Sequence, residues 1–190
     1  HTVVLPTGGI HITNDLAVGL RAPFSAAEEI KINYGHASPM SIPEDEFIDI
    51  AAFGDEGRRT VSRREVAEII SARVDEICQM ILTEVKRSGY DSLLPAGVVL
   101  CGGTAELNGI KSFAREVMQM PVRVGAPREI EGFTDRVSLP AFATSVGLVQ
   151  WGWKQAEAEG ATAPGRNNGQ HKPNPIGGLF SWAKKAFLPG

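Results

Sequence analysis

The chain has 190 residues, 43% of them hydrophobic and 22% charged, and a net charge of −3, which suits a globular protein with one large core or two small ones. The charge is uneven: residues 161–190 hold four basic side chains and no acidic one, so the first 160 carry 15 basic against 22 acidic, or −7. An acidic body argues against nucleic acid as the main partner, a cationic end suits anionic lipid, and no apolar run approaches the 18 residues needed to span a membrane.

The chain starts at His1 and runs at once into Val3-Val4-Leu5, and it is read as a piece of something longer. This β-branched segment is broken by Pro6-Thr7-Gly8-Gly9. A helix is expected from about Thr13 or Asn14 to Leu20, and a second over 26–33, capped by Ser25 and stopped by Gly35. From His36 to Thr60 the residues alternate, and Gly54-Asp55-Glu56-Gly57 marks a turn, predicting a small strand-rich insertion with a hairpin. Ser62-Arg63-Arg64-Glu65 has the form of a capping box. It opens a long helix whose apolar stripe holds Val66, Ile69, Ile70, Val74, Ile77, Ile81, Leu82 and Val85 and which ends near Ser88-Gly89.

Gly97-Val98-Val99-Leu100-Cys101 is a continuous apolar run, as in a strand buried on both faces. Both cysteines, Cys78 and Cys101, lie in apolar runs and are expected in the core of a reduced protein. Gly102-Gly103 turn the chain, Asn108 is placed to cap a helix running to about Met118, and Pro121-Val122-Arg123-Val124 is the next strand. A further helix is expected over 141–151, with Ala143, Val146, Gly147 and Val149 inward. Strand, turn, helix and strand in this order indicate a layered α/β unit. Residues 156–175 are poor in large apolar side chains and predict a disordered linker.

The last segment turns apolar again. On a helical wheel Ile176, Leu179, Phe180, Trp182, Ala183, Ala186 and Phe187 share an arc of roughly 160°, with Ser181, Lys184 and Lys185 opposite and Leu188 out of place. Rings that enter the acyl boundary and lysines that meet anionic headgroups make an interfacial helix. A helix docked on its own domain is the competing reading, and a tether of about 20 residues disfavours it.

Three other features have both a plain and a functional reading. A glycine pair after a strand, Gly102-Gly103, lets backbone amides approach a ligand, although such a pair often only makes a turn; Gly8-Gly9 is equally ambiguous. Glu28 and Lys31, three apart on one helix face, can hold the hydroxyls and base of a nucleoside or form a plain surface ion pair. Arg58, Arg59, Arg63, Arg64 and Arg73 surround the start of the long helix, either as a solvated face balanced by Glu65, Glu68, Asp75 and Glu76 or as a carboxylate-binding patch. No nucleophile elbow, catalytic triad or metal-ligand spacing occurs in the sequence, so no catalytic residue and no metal site is predicted.

The combination resembles a known family. Residues 97–110, Gly-Val-Val-Leu-Cys-Gly-Gly-Thr-Ala-Glu-Leu-Asn-Gly-Ile, resemble the adenosine motif of actin-like ATPases. Pro-Val-Arg-Val-Gly-Ala-Pro at 121–127 and Pro-Ala-Phe-Ala-Thr-Ser-Val-Gly-Leu at 140–148 are similar to the segments C-terminal to that motif in the FtsA family of bacterial division proteins. Ala27-Glu28-Glu29-Ile30-Lys31 with Gly35 looks like that family's nucleotide-side helix.

The resemblance implies an α/β, actin-like (ribonuclease H-like) half-molecule. Residues 1–27 and 88–155 would form subdomain 2A, with 28–87 inserted as a small α+β subdomain 2B, then the linker at 156–175 and the amphipathic helix at 176–190. It implies nucleotide contacts at Glu28, Lys31, Gly102, Gly103 and, with less weight, Gly9. Contacts to the C-terminal peptide of the tubulin-like protein FtsZ fall at Arg59, Arg73 and Glu76. Membrane contacts fall at Ile176, Leu179, Phe180, Trp182, Lys184, Lys185 and Phe187. ATP and Mg2+ are expected in the full-length parent and not on these residues alone, because the family's phosphate loops precede His1. The implied protein is a scaffold rather than an enzyme. It tethers FtsZ filaments to the cytoplasmic face of the inner membrane at the septum, recruits later division proteins, binds anionic lipids and assembles with itself in an ATP-dependent manner. A soluble ATPase or sugar kinase of the same superfamily and an actin-like cell-shape scaffold are the alternatives.

Overall fold

A computed structural model describes residues 1–51, 57–128, 130 and 137–162. The chain divides into two compact units, His1–Ala143 and Thr144–Gly190. In the first, helices α1 (Gly9–Gly19) and α2 (Phe24–Tyr34) precede a hairpin of β1 (Phe47–Ala51) and β2 (Arg58–Ser62), and helix α3 (Arg63–Ser88) comes next. Then come β3 (Val98–Leu100), a 3-10 turn at Gly103–Glu106, α4 (Ile110–Met118) and β4 (Val122–Val124). Helix α5 (Ala143–Thr162) makes up, from Thr144 on, the described part of the second unit.

The predicted hairpin is present as an antiparallel pair, with Asp49 opposite Thr60 and the Thr60 hydroxyl donating to Asp49 at 2.6 Å. Strands β3 and β4 pair in parallel, Val98 against Val122, as two strands joined through a helix must. Residues 2–5 enter no ladder.

Helix α3 organises the first unit. Val66, Ala67, Ile70, Val74 and Cys78 are buried along it, against α1 on one side and α4 on the other. Each large apolar side chain contributes roughly 1.5–3 kcal/mol on burial. Ile12, Leu16 and Leu20 complete the core from α1. The Ser62 hydroxyl accepts from the Arg64 amide, and Gly89 closes the other end in the left-handed region at φ 76°. The Arg64 amide is the second of the helix and no bond returns from Glu65, so a plain serine cap stands in place of the expected box.

The structure corrects several of the sequence expectations. Helix α1 starts at Gly9 rather than Thr13, because the glycine pair opens the helix instead of breaking the chain. Helix α2 starts at Phe24 behind Pro23 and has no side-chain cap from Ser25. Gly109, not Asn108, precedes α4; the Asn108 carbonyl instead accepts from the Ala37 amide at 2.8 Å. Strand β3 is not buried on both faces: Val99 is 45% exposed, since among the described residues only β4 flanks it. Helix α5 continues to Thr162, past the expected end at Trp151 and into the expected linker. Gly147 and Val149 are exposed rather than inward. Residues 163–190, including the rest of the linker and every predicted membrane contact, lie outside the described residues.

The cysteines part company. Cys78 is buried, and burial together with the nearby Asp75 charge pushes its thiol up to about 11. Cys101, expected in the core, is exposed because the chain leaves β3 just before it. A disulfide-exchange reagent at neutral pH is therefore expected to titrate one thiol per folded chain and two in denaturant. Rapid release of both from the folded chain would contradict the placement of Cys78.

Candidate functional site

The N-terminus of α1, one face of α2 and the 3-10 turn after β3 enclose a cleft of about 710 Å³, within the usual range of small-molecule sites. Helix α2 presents Phe24, Glu28 and Lys31 to it, with Gly35 just past its end, a spacing of three to four residues that lines up one helix face. Gly9 faces them from α1, and Gly103 and Thr104 close the far side. A Cβ on Gly9 would come within 2.4 Å of the Thr104 hydroxyl. Glycine is thus what lets the start of α1 approach that turn.

Glu28 and Lys31 are more than a surface pair. The Lys31 ammonium donates to Glu28 Oε2 at 2.7 Å, to the Thr13 hydroxyl at 2.9 Å and to the Gly9 carbonyl at 3.2 Å. The Thr13 hydroxyl donates to the same Glu28 oxygen. Thr13 is fully buried, and the Lys31 side chain is 15% exposed. Burial pushes the Glu28 carboxyl up, but the hydrogen bonds from Lys31 and Thr13 and the Lys31 charge outweigh it and hold the group below its ordinary range.

That direction sets a pH dependence. A carboxyl lowered by folding contributes stability above its ordinary value of 4.5 and loses the contribution as pH falls through the lowered value. The melting-temperature gap between the chain and a Glu28→Gln variant is therefore expected to be widest at neutral pH and to close as the pH falls below 4.5. A gap that persists unchanged in acid would rule out the ionised network.

Four of the five predicted nucleotide-side residues, Gly9, Glu28, Lys31 and Gly103, line this cleft; Gly102 does not. The Gly102 amide is committed to the Pro140 carbonyl at 2.8 Å, so it holds the 140–142 turn rather than facing the cleft. Thr13 is the site residue that sequence reasoning does not find. Its only signal in sequence is a hydroxyl one turn before Leu16 on the apolar stripe of α1, a position that demands a partner.

The basic cluster divides by partner. Arg63 bonds Glu46 at 2.6 Å and the Tyr34 carbonyl at 2.9 Å. Arg64 bonds Glu44 at 2.6 Å and the Ile42 carbonyl at 2.9 Å. Together they pin the start of α3 to the end of α2 and to the segment before the hairpin. Arg73 forms a fork on Asp15 of α1, at 2.5 and 2.9 Å, and reaches Glu76 at 2.6 Å. The hydrogen bonds to Asp15 and the charges of Asp15 and Glu76 outweigh partial burial and push its guanidinium above the ordinary value. The predicted balance by Glu65, Glu68 and Asp75 is replaced by partners on other elements. Arg73 and Glu76 are thus brought together, while Arg59 stands on β2 and, among the described residues, no hydrogen bond or ion pair joins it to them.

Among the described residues, no group of three or more His, Cys, Asp or Glu is placed to hold a metal ion, and no helix is long and apolar enough to cross a membrane.

Known proteins resemble the chain in sequence or in fold. A family model described as "Cell division protein FtsA" matches residues 1–147. The FtsA proteins of Pseudomonas aeruginosa and Neisseria meningitidis are 40% and 41% identical to the chain over 91% and 98% of its length. That of Escherichia coli K12 is 32% identical over 98%. The chain spans 42% to 46% of the length of these relatives. Among solved structures, MreB5 of Spiroplasma citri bound to ADP superposes with a TM-score of 0.61 at 13% identity, covering 84% of this chain and 48% of that one. The likeness establishes the actin-like α/β fold.

Proposed function

The chain belongs to the FtsA family of cell division proteins, and on that premise we propose that its complete protein tethers FtsZ filaments to the cytoplasmic face of the inner membrane at the septum. The observation that carries the reading is the match to the FtsA family model across residues 1–147. In this reading 1–27 and 88–155 form subdomain 2A, 28–87 form the inserted 2B, and 176–190 form the lipid-binding helix. Binding and ATP-dependent self-assembly, rather than substrate turnover, are the protein's work, with later division proteins as further partners.

The cleft fits the nucleoside end of ATP. Glu28 offers a carboxylate oxygen to the ribose hydroxyls, and Gly103 leaves room, since a Cβ there meets nothing within 4 Å. ATP would supply the ligand that favours the assembly-competent arrangement. Phosphates and Mg2+ are assigned to none of the described residues. Arg73 and Glu76, with Arg59 from the hairpin, are the proposed contacts for the acidic FtsZ peptide.

Recruitment of a fluorescent FtsZ C-terminal peptide to anionic liposomes by the full-length parent tests the tether. The parent is expected to float with the peptide. A Phe180→Asp, Trp182→Asp form should bind peptide but not float, whereas Arg59→Glu with Arg73→Gln should float without peptide. Flotation unaffected by the tail changes, or peptide capture unaffected by the arginine changes, would overturn the corresponding half of the reading.

A further inference from the structure

We propose that Thr13 is the positioning residue of the cleft: its buried hydroxyl holds Glu28 and Lys31 in one arrangement that presents a single carboxylate oxygen to a ligand's hydroxyl groups. The inference rests on the proposed nucleoside site and goes beyond it by giving Thr13 the task of holding Glu28 and Lys31 in place.

The donor count shows how Lys31 is held. An ammonium has three hydrogens, and Lys31 directs them at Gly9, Thr13 and Glu28. Glu28 Oε2 accepts from both Lys31 and Thr13, which leaves Oε1 as its oxygen for a ligand. The Thr13 hydroxyl sits between the two charged groups, donating to one and accepting from the other. It is fully buried, so water cannot take its place without opening the α1–α2 contact. Without it, the Lys31 ammonium would have a free donor, and Glu28 would be free to turn its second oxygen away.

The cleft therefore selects a hydrogen-bond donor. A vicinal diol, as on ribose, matches a carboxylate oxygen, whereas an anionic group would face the carboxylates of Glu28 and Glu106 on the cleft wall.

The test uses the full-length parent with Thr13→Val, which keeps the shape and removes the hydroxyl, and Thr13→Ser, which restores it. Affinity for ATP and for 2′-deoxy-ATP is measured alongside an NMR pH titration of the Glu28 carboxyl. Thr13→Val is expected to weaken ATP about tenfold, to leave 2′-deoxy-ATP within about twofold, and to raise the Glu28 midpoint toward its ordinary value. Thr13→Ser should return all three to the parent's values. Equal losses for the two nucleotides would make Thr13 merely structural and overturn the proposal. An unmoved Glu28 midpoint would overturn it whatever the nucleotides do. A parent that binds neither nucleotide, with the midpoint still shifting, would instead remove the nucleoside reading and with it the assignment of the ligand.

Discussion

Gly97→Ala is expected to destabilise the first unit by about 3–5 kcal/mol, a large effect for a single methyl group in a loop. Gly97 sits at φ +71°, and a Cβ there would lie 1.8 Å from the Pro121 carbonyl oxygen. That oxygen is backbone and cannot swing aside. It also accepts the Val98 amide at 2.8 Å, the bond that starts the parallel β3–β4 pair. Alanine thus costs twice: through the left-handed backbone, and through the displaced oxygen that sets the register of the strand leading to the cleft turn. At roughly 2–4 °C per kcal/mol for a chain of this size, the melting temperature should fall about 10 °C. Gly103→Ala is the control, because its Cβ meets nothing within 4 Å, and its stability should stay within about 0.5 kcal/mol of the parent's. Denaturant unfolding of the three proteins checks both. A Gly97→Ala loss under about 1 kcal/mol would contradict the strand geometry.

The second large effect is on binding. Lys31→Met keeps the aliphatic stem and removes the ammonium. Thr13 and Glu28 then lose the donor they share, and the Gly9 carbonyl loses its contact across to α2. Removing a donor from partly buried charged partners typically costs about 1–3 kcal/mol, discounted here because the Glu28 side chain is 38% exposed and water can re-solvate it. Ligand affinity should suffer more than stability, since Glu28 becomes free to turn. ATP binding by the full-length Lys31→Met protein is expected to fall at least about tenfold, with the fold retained by circular dichroism. Unchanged affinity would show that the network does not order the site.

The long helix is legible in the sequence because its signal is local and repeated: a serine cap, a stripe of aliphatic residues at helical spacing and a terminal glycine all agree. The hairpin is legible from alternation for the same reason. The features that escape a sequence reading are set by partners distant along the chain. Cys101 belongs to an apolar run, yet among the described residues only one strand flanks β3, and nothing in residues 97–101 reports the number of neighbours. Gly9 has the look of a breaker, although its lack of a side chain serves the approach to Thr104, on the far side of the cleft. Arg73 reads as part of a solvated face until Asp15, 58 residues away, is placed beside it. The site is half legible: Glu28 and Lys31 advertise themselves by spacing, whereas Thr13 shows only when α1 and α2 are packed together.

Photolabelling asks outright whether the cleft holds the nucleoside end of ATP. The full-length parent is irradiated with 8-azido-ATP in the presence and absence of excess ATP, and the modified peptides are mapped. ATP-protected label is expected on residues 24–35 and 103–108, the two walls of the cleft. Protected label that falls wholly elsewhere in the parent would contradict the assignment of the nucleoside to this cleft.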